Sequence, residues 1–343
     1  MTRKLAQVAL RAGVSQATVS RVLNGRPGIS EATRTTVLTA LEALGYERPT
    51  LLRDSGPRFV GLVLPDLRNP VYGTLAELLA SGLAQRGLTP VLCGRTEPGM
   101  SEAEQVERLV RRQVSGVVCA GGRYAEADAS HQHYRLLAER GIPCVLVNAA
   151  VGGLGFPGVT CDDTLAAERA WRHLTSLGHE RIGLLLGPAD HVPSLRKLRA
   201  AAEAAEAASI PLPGRHVAHT RFSFEAGQAA AGRLLAQGLT GLICASDPLA
   251  LGAVRAARRR GLTVSRDVSV VGFDDSPLMS CTDPPLTTVR QPVAAMTRTA
   301  LDLLDAQLRG AAVHPGELLF EPELVVRAST ARPAVRGNGP DDV

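Results

Sequence analysis

Apolar residues recur at helical spacing through the first 46 residues and gather into short unbroken runs after residue 60. In the head, Leu5, Val8 and Ala9 make one stripe, Val19, Val22 and Leu23 a second, and Val37, Leu38, Leu41 and Leu44 a third. Repeats of three and four residues predict three amphipathic helices. Gly13 breaks the first. Ser15 and Ser30 stand where a hydroxyl would cap the second and third by accepting from unbonded backbone N–H groups. Three short helices bury little surface, so a small module is predicted. Residues 47–58, ERPTLLRDSGPR, carry two prolines, a glycine and mixed charge, a linker composition.

Beyond the linker, apolar runs appear at 60–65 (VGLVLP), 89–94, 115–121, 142–148, 181–187, 241–246 and 268–274 (VSVVGFD), with helix-length amphipathic stretches such as GTLAELLASGLAQRG between them. Unalternating strands separated by helices predict βαβ units, hence parallel sheets covered on both faces. The number of units suggests two doubly wound lobes rather than one. Ligands in such sheets bind beyond the carboxyl ends of the strands, and Asp66, Asn148, Ser246, Asp247, Asp274 and Asp275 stand at those ends. The fold class expected is α/β.

Composition narrows the function classes. No apolar run approaches the eighteen or so residues that a membrane-spanning helix needs. The opening MTRKLAQVALRAG has no apolar stretch followed by a small-residue cleavage site, so a cytoplasmic location is expected. The six cysteines are dispersed without a C-x-x-C pair and read as small buried hydrophobes, so no metal and no cofactor are expected. His131 with His133 and His216 with His219 lack a nearby cysteine or carboxylate at ligand spacing, and read as surface histidines. P-loop, G-x-S-x-G, H-E-x-x-H and post-strand G-x-G-x-x-G signatures are absent, which argues against an enzyme. A pure solute-binding protein fits the core pattern but not the helical head. Charge is uneven: residues 1–58 hold nine Lys or Arg against four acids, the whole +5 excess, while the rest is balanced. The head alone attracts polyanions.

The stretch 12–30, AGVSQATVSRVLNGRPGIS, gives that charge a shape. Ala12, Gly13 and Val14 supply a tight turn, Ser15 caps the next helix, and Val19, Val22 and Leu23 face inward. That leaves Gln16, Ala17, Ser20 and Arg21 outward, on a helix of the size that enters a DNA major groove. Gln and Arg can bond two base-edge atoms at once, whereas Ala17 offers only methyl contact. Ser15, Thr18, Ser20 and Asn24 can reach phosphates.

These residues resemble the DNA-binding head of the lactose-repressor and galactose-repressor family of bacterial transcription regulators. The likeness continues through LPDLRNPVY (64–72), SLGHERIGLLLGP (176–188), ASDPLALGAVRAARRRGL (245–262), VSVVGFDDSPL (268–278) and PPLTTVRQP (284–292). The resemblance implies a helix-turn-helix head (1–46), a hinge (47–58) and a core (59–330) like a two-lobed periplasmic sugar-binding protein. Lobe 1 would take about 59–160 plus 290–318 and lobe 2 about 161–289 plus 319–330, with 331–343 an unfolded tail. It further implies a homodimer on a pseudo-palindromic operator, controlled by a small effector, most simply a sugar, and acting as a repressor.

Carried over residue by residue, base reading falls on Gln16, Ala17 and Arg21, with Lys4 replacing a first-helix cap by a phosphate contact and Ser30 beginning the third helix. Effector contacts fall on Asp66, Tyr72, Asn148, Phe222, Ser246 and Asp274, with helix capping the alternative for Asp274. Where the family has an arginine followed by glycine and an aromatic, this chain has Lys197 without either; Arg196 or Arg199 could serve instead. Trp171 reads as packing. In the hinge, two residues separate Tyr46 from Pro49 and Thr50 replaces an asparagine, leaving Leu51 or Leu52 as the minor-groove wedge.

Overall fold

A computed structural model describes residues 2–23, 28–44, 58–94, 99–149 and 153–334, in two compact units divided after Arg58. The first unit holds α1 (Thr2–Ala12), α2 (Gln16–Leu23) and α3 (Glu31–Ala43). Ser15 Oγ accepts from the backbone N–H of Thr18 at 3.0 Å and Ser30 Oγ from that of Thr33 at 3.2 Å, so each serine caps the helix it precedes. Val8, Val19, Val22 and Val37 are almost wholly buried and form a core with Leu38 and Leu41. Gly13 turns between α1 and α2 at φ +65°, a conformation that costs a Cβ-bearing residue energy and glycine little.

The second unit contains two sheets of the same design. Along the chain run β1 (Arg58–Leu64), α4 (Pro70–Gln85), β2 (Leu88–Gly94), α5 (Glu102–Arg111), β3 (Gly116–Ala120), α6 (Gln132–Glu139), β4 (Cys144–Val147) and β5 (Gly158–Cys161). The chain then crosses to α7 (Asp163–Ser176), β6 (Ile182–Leu186), α8 (Val192–Ala207), β7 (Val217–His219), α9 (Phe224–Leu235), β8 (Gly241–Cys244), α10 (Asp247–Arg259), β9 (Ser269–Asp274) and β10 (Thr287–Arg290). It returns through α11 (Val293–Leu308) and β11 (Glu317–Phe320) before β12 (Glu323–Val325) closes the second sheet.

The strand orders are β2-β1-β3-β4-β5-β11 and β7-β6-β8-β9-β10-β12; from β1 to β11 and from β7 to β10 neighbours run parallel, and β12 lies antiparallel to β10. Each is the doubly wound order in which the connections reverse direction beside the first strand, opening a crevice at the carboxyl ends of that strand and its neighbour. In the first sheet the crevice lies beyond β1 and β3, in the second beyond β6 and β8. The central strands are apolar on both faces because helices cover both: all of β3, β4, β6, β8 and β9 is buried.

All seven apolar runs became strands. The tail departs from expectation. Thr330 Oγ1 meets His173 Nε2 at 2.9 Å, and the Ala331 carbonyl accepts from Ser269 Oγ at 3.0 Å, so the chain is tied to the second sheet past residue 330. Residues 335–343 lie outside the described residues. The short-range histidine pairs are also not a surface feature: His133 is buried against Glu102 at 3.1 Å, and His216 is buried as well. Glu102 is thirty-one residues away in sequence, so spacing gave no sign of it. Trp171 is 1% exposed within the core.

Candidate functional site

Two surfaces carry the candidate residues. In the head, α2 is divided by face: Val19 and Val22 are 0% exposed, whereas Gln16, Ala17 and Arg21 are exposed. Helical periodicity turns Ala17 and Arg21, at i−2 and i+2 of the buried pair, away from that stripe, while Gln16 stands at its flank in the first turn of α2. The Ser15 hydroxyl is occupied by its cap and by Thr18 Oγ1 at 2.9 Å, and Thr18 and Ser20 are half-buried. Lys4 falls within α1, but its side chain, like Asn24, Leu51 and Leu52, lies outside the described residues.

In the second unit, Asp66, Tyr72, Asn148, Lys197, Phe222, Ser246 and Asp274 line one cleft of about 640 Å³. It lies where the two crevices face each other. Left-handed backbone at Asn148 (φ +73°), Asp274 (+116°) and Asp275 (+55°) turns the strand ends toward it, a strained conformation concentrated where side chains must be aimed. Tyr72 and Phe222 sit in glycine notches: a Cβ on Gly121 would collide with the Tyr72 ring, and one on Gly187 with the Phe222 ring.

Asp274 is 5% exposed. Its Oδ1 accepts from Gln291 Nε2 at 2.6 Å, and its Oδ2 from Asn69 Nδ2, on the opposite lobe, at 3.1 Å. It caps no helix. Burial, reinforced by nearby Asp247, pushes its carboxyl up to about 8. Asp247 and Asp275 stand behind the cleft wall. Asp247 accepts from the Ser276 N–H and Thr288 hydroxyl, and Asp275 is paired with Arg290 and Arg327. Ser246 caps α10, accepting from Leu249 N at 3.4 Å.

Lys197 is 7% exposed; its ammonium is held by Asp163 and lies 3.9 Å from the centroid of the Phe273 ring. Burial pushes the Asp163 carboxyl up, against the pull of Lys197. Arg196 instead grips Glu317 at 2.7 and 2.8 Å, and Arg199 pairs with Glu203 on the surface; neither lines the cleft. The Asp66 carboxylate is engaged by Arg68. Burial pushes the Tyr72 phenol up, with nearby Asp274 adding to the rise and the Asn148 side chain pulling against it.

Sequence reading missed five lining residues of consequence. Asn69 caps α4, accepting from Val71 N. Thr160 and Asp163 flank the crossing from β5, and Gln291 flanks the crossing from β10. His191 bonds Ser194 Oγ through Nδ1 at 3.0 Å and meets Phe222 edge-on at 5.0 Å; burial, then Lys197, lowers its imidazole to about 3 and keeps it neutral. Among the described residues no group of three or more His, Cys, Asp or Glu is placed to hold a metal ion, and no helix is long and apolar enough to cross a membrane.

Residues 4–49 match the model of bacterial regulatory proteins of the lacI family, and 171–330 match a periplasmic binding protein-like domain. The HTH-type transcriptional regulator MalR of Streptomyces coelicolor is 47% identical, over 98% of this chain and 99% of its own. The chain belongs to the LacI family. Among solved structures, a complex of the transcriptional regulator CelR with cellobiose is similar over 95% of this chain and 99% of its own, with TM-score 0.71 and 32% identity. A lac repressor dimer bound to operator and the anti-inducer ONPF is similar over 94% and 98%, with TM-score 0.69 and 27% identity. As a LacI-family protein, the chain is a DNA-binding transcriptional regulator and not an enzyme, with a helix-turn-helix head and two parallel-sheet lobes of the periplasmic-binding type.

Proposed function

We propose that this regulator is a cytoplasmic repressor that binds a pseudo-palindromic operator as a homodimer and is controlled by a sugar or sugar-like effector in the cleft. The observation that carries the reading is the split face of α2, where buried valines leave Gln16, Ala17 and Arg21 free to meet base edges. Residues 1–46 would read DNA, with Arg21 bidentate on a guanine, Gln16 on a second base and Ala17 against a thymine methyl. Lys4, Ser15, Thr18, Ser20, Asn24 and Ser30 would set the register on phosphates. Residues 47–58 would act as the hinge, with Leu51 or Leu52 as wedge. Residues 59–330 would bind effector and dimerise, so that two heads meet half-sites about one DNA turn apart.

In the cleft, Asp66, Asn148, Ser246 and Asp274 supply hydrogen bonds, Tyr72 and Phe222 supply ring contact, and Lys197 acts at the crossing between lobes. Among the described residues, links that span the lobes include Asn69 to Asp274, Ala127 N to the Asp190 carbonyl at 2.8 Å, and Arg196 to Glu317. A ligand that strengthens this closed arrangement over an open one shifts the balance by its differential affinity, and DNA binding changes by the same coupling.

The test is selection of bound duplexes from a random pool by the full-length protein, repeated with a panel of sugars. Enrichment of one pseudo-palindrome, with binding altered by a sugar, is the expected result. A pool that stays unenriched refutes the reading.

A further inference from the structure

Among the described residues, three polar atoms of the cleft lining have no hydrogen-bond partner. Asn148 Oδ1, Thr160 Oγ1 and Asp163 Oδ2 are buried without a hydrogen-bond partner, and all three residues line the cleft. An unsatisfied buried polar atom is costly, and where three belong to residues lining one cleft, a bound guest that donates to them offsets that cost. All three atoms can accept; the amide oxygen can do nothing else, nor can the carboxylate oxygen while Asp163 is ionised in its pair with Lys197. The guest must therefore bring donors. A hydroxyl does; a phosphate dianion, rich in acceptors, does not.

Charge points the same way. Asp66, Glu126, Asp163 and Glu225 line the cleft against Arg68, Lys197 and Arg221, beside an Asp274 whose carboxyl burial pushes up. Of these cations, Arg68 is bonded to Asp66, and Arg221 is exposed at the rim with Glu225 four residues on. The buried cation, Lys197, is cancelled by Asp163 and lies against Phe273. His191 stays neutral. Size matters as well: about 640 Å³ is room for roughly twenty waters at about 30 Å³ each, more than the twelve non-hydrogen atoms of one hexose would fill. Two aromatic rings line the cleft, Tyr72 in one lobe and Phe222 in the other, each seated in a glycine notch.

We propose that the effector is an uncharged oligosaccharide of at least two rings, and that Asp163 is the residue that sets this specificity. Its Oδ1 silences Lys197 and its Oδ2 accepts a ligand hydroxyl. The proposal rests on the cleft being the effector site, as above.

The experiment measures binding to full-length protein by calorimetry and by thermal shift. The probes are a panel of unphosphorylated di- and trisaccharides, glucose, and glucose 6-phosphate. The wild type should be stabilised by at least one oligosaccharide, more weakly by glucose and not by glucose 6-phosphate. Asp163→Asn frees Lys197, and should weaken the oligosaccharide tenfold or more while gaining affinity for glucose 6-phosphate. Thr160→Val leaves the ion pair intact and should weaken the oligosaccharide several-fold, which keeps the test open if the first variant does not fold. A panel in which no neutral oligosaccharide binds, or in which glucose 6-phosphate binds the wild type as well as any sugar does, overturns the proposal. So does an oligosaccharide affinity unchanged in both variants. Operator binding is followed in parallel: glucose 6-phosphate that binds the wild type and alters operator affinity sinks this specificity while leaving effector control standing. An oligosaccharide that binds without touching operator affinity does the reverse.

Discussion

At the scale of the residue, Arg21 and Asp274 carry the sharpest consequences. Arg21 is exposed on a helix whose opposite face is held by Val19 and Val22, so truncating it leaves the head's core untouched. Arg21→Ala is expected to relax sequence discrimination by about 1–3 kcal/mol while non-specific binding persists; competition gel shifts with operator and scrambled duplex check it. Asp274 governs a pH response. Its carboxyl, raised to about 8, binds a proton in the folded state over a range in which the unfolded chain, titrating near about 4, does not. The stability this group contributes is therefore full below about pH 4 and is lost as the pH rises to about 8, by at most about 1.4 kcal/mol per pH unit. Asp247, raised to about 6, adds the same sign over a narrower window. Asp274→Asn should flatten the profile of Tm against pH between about 5 and 8, and an unchanged slope would show that other groups set it.

At the scale of the element, legibility followed burial. The seven unalternating runs announced strands because both of their faces are covered. β5, β7, β10, β11 and β12 escaped notice because they are short, lie at edges or bury polar groups. β10 reads TTVR, and its Thr287 and Thr288 are wholly buried only because their hydroxyls find Thr330 and Asp247. Missing β5 hid Thr160 and Asp163, since the rule that places ligands at strand ends cannot be applied to a strand not recognised. Close helix approach was equally invisible. A Cβ on Gly252 of α10 would stand 2.5 Å from the Phe224 carbonyl oxygen and 2.6 Å from Gln228 N of α9. Both are backbone atoms, unable to swing aside. Gly252→Ala is expected to cost about 1–3 kcal/mol, with no gain from its better helix propensity visible in urea unfolding.

At the scale of the whole molecule, the excess positive charge lies in the first 58 residues while the remainder is balanced. DNA affinity should therefore fall steeply with salt, log K against log salt having a slope of about −0.9 per phosphate contacted. Gel-shift titrations at several salt concentrations measure it, and a flat response would contradict a phosphate-tracking head. Hydrophobic periodicity, capping serines and charge were enough to determine the three-helix head, the doubly wound lobes and the outward face of α2, because each depends on neighbours a few positions apart in the chain. What only the tertiary structure decided is which polar groups meet. Lys197 finds Asp163, Asn69 reaches Asp274 from the other lobe, and Asn148, Thr160 and Asp163 are left with buried atoms that have no partner among the described residues. Those pairings join residues up to 205 positions apart through the chain's three crossings between lobes, and burial rather than local pattern sets their chemistry.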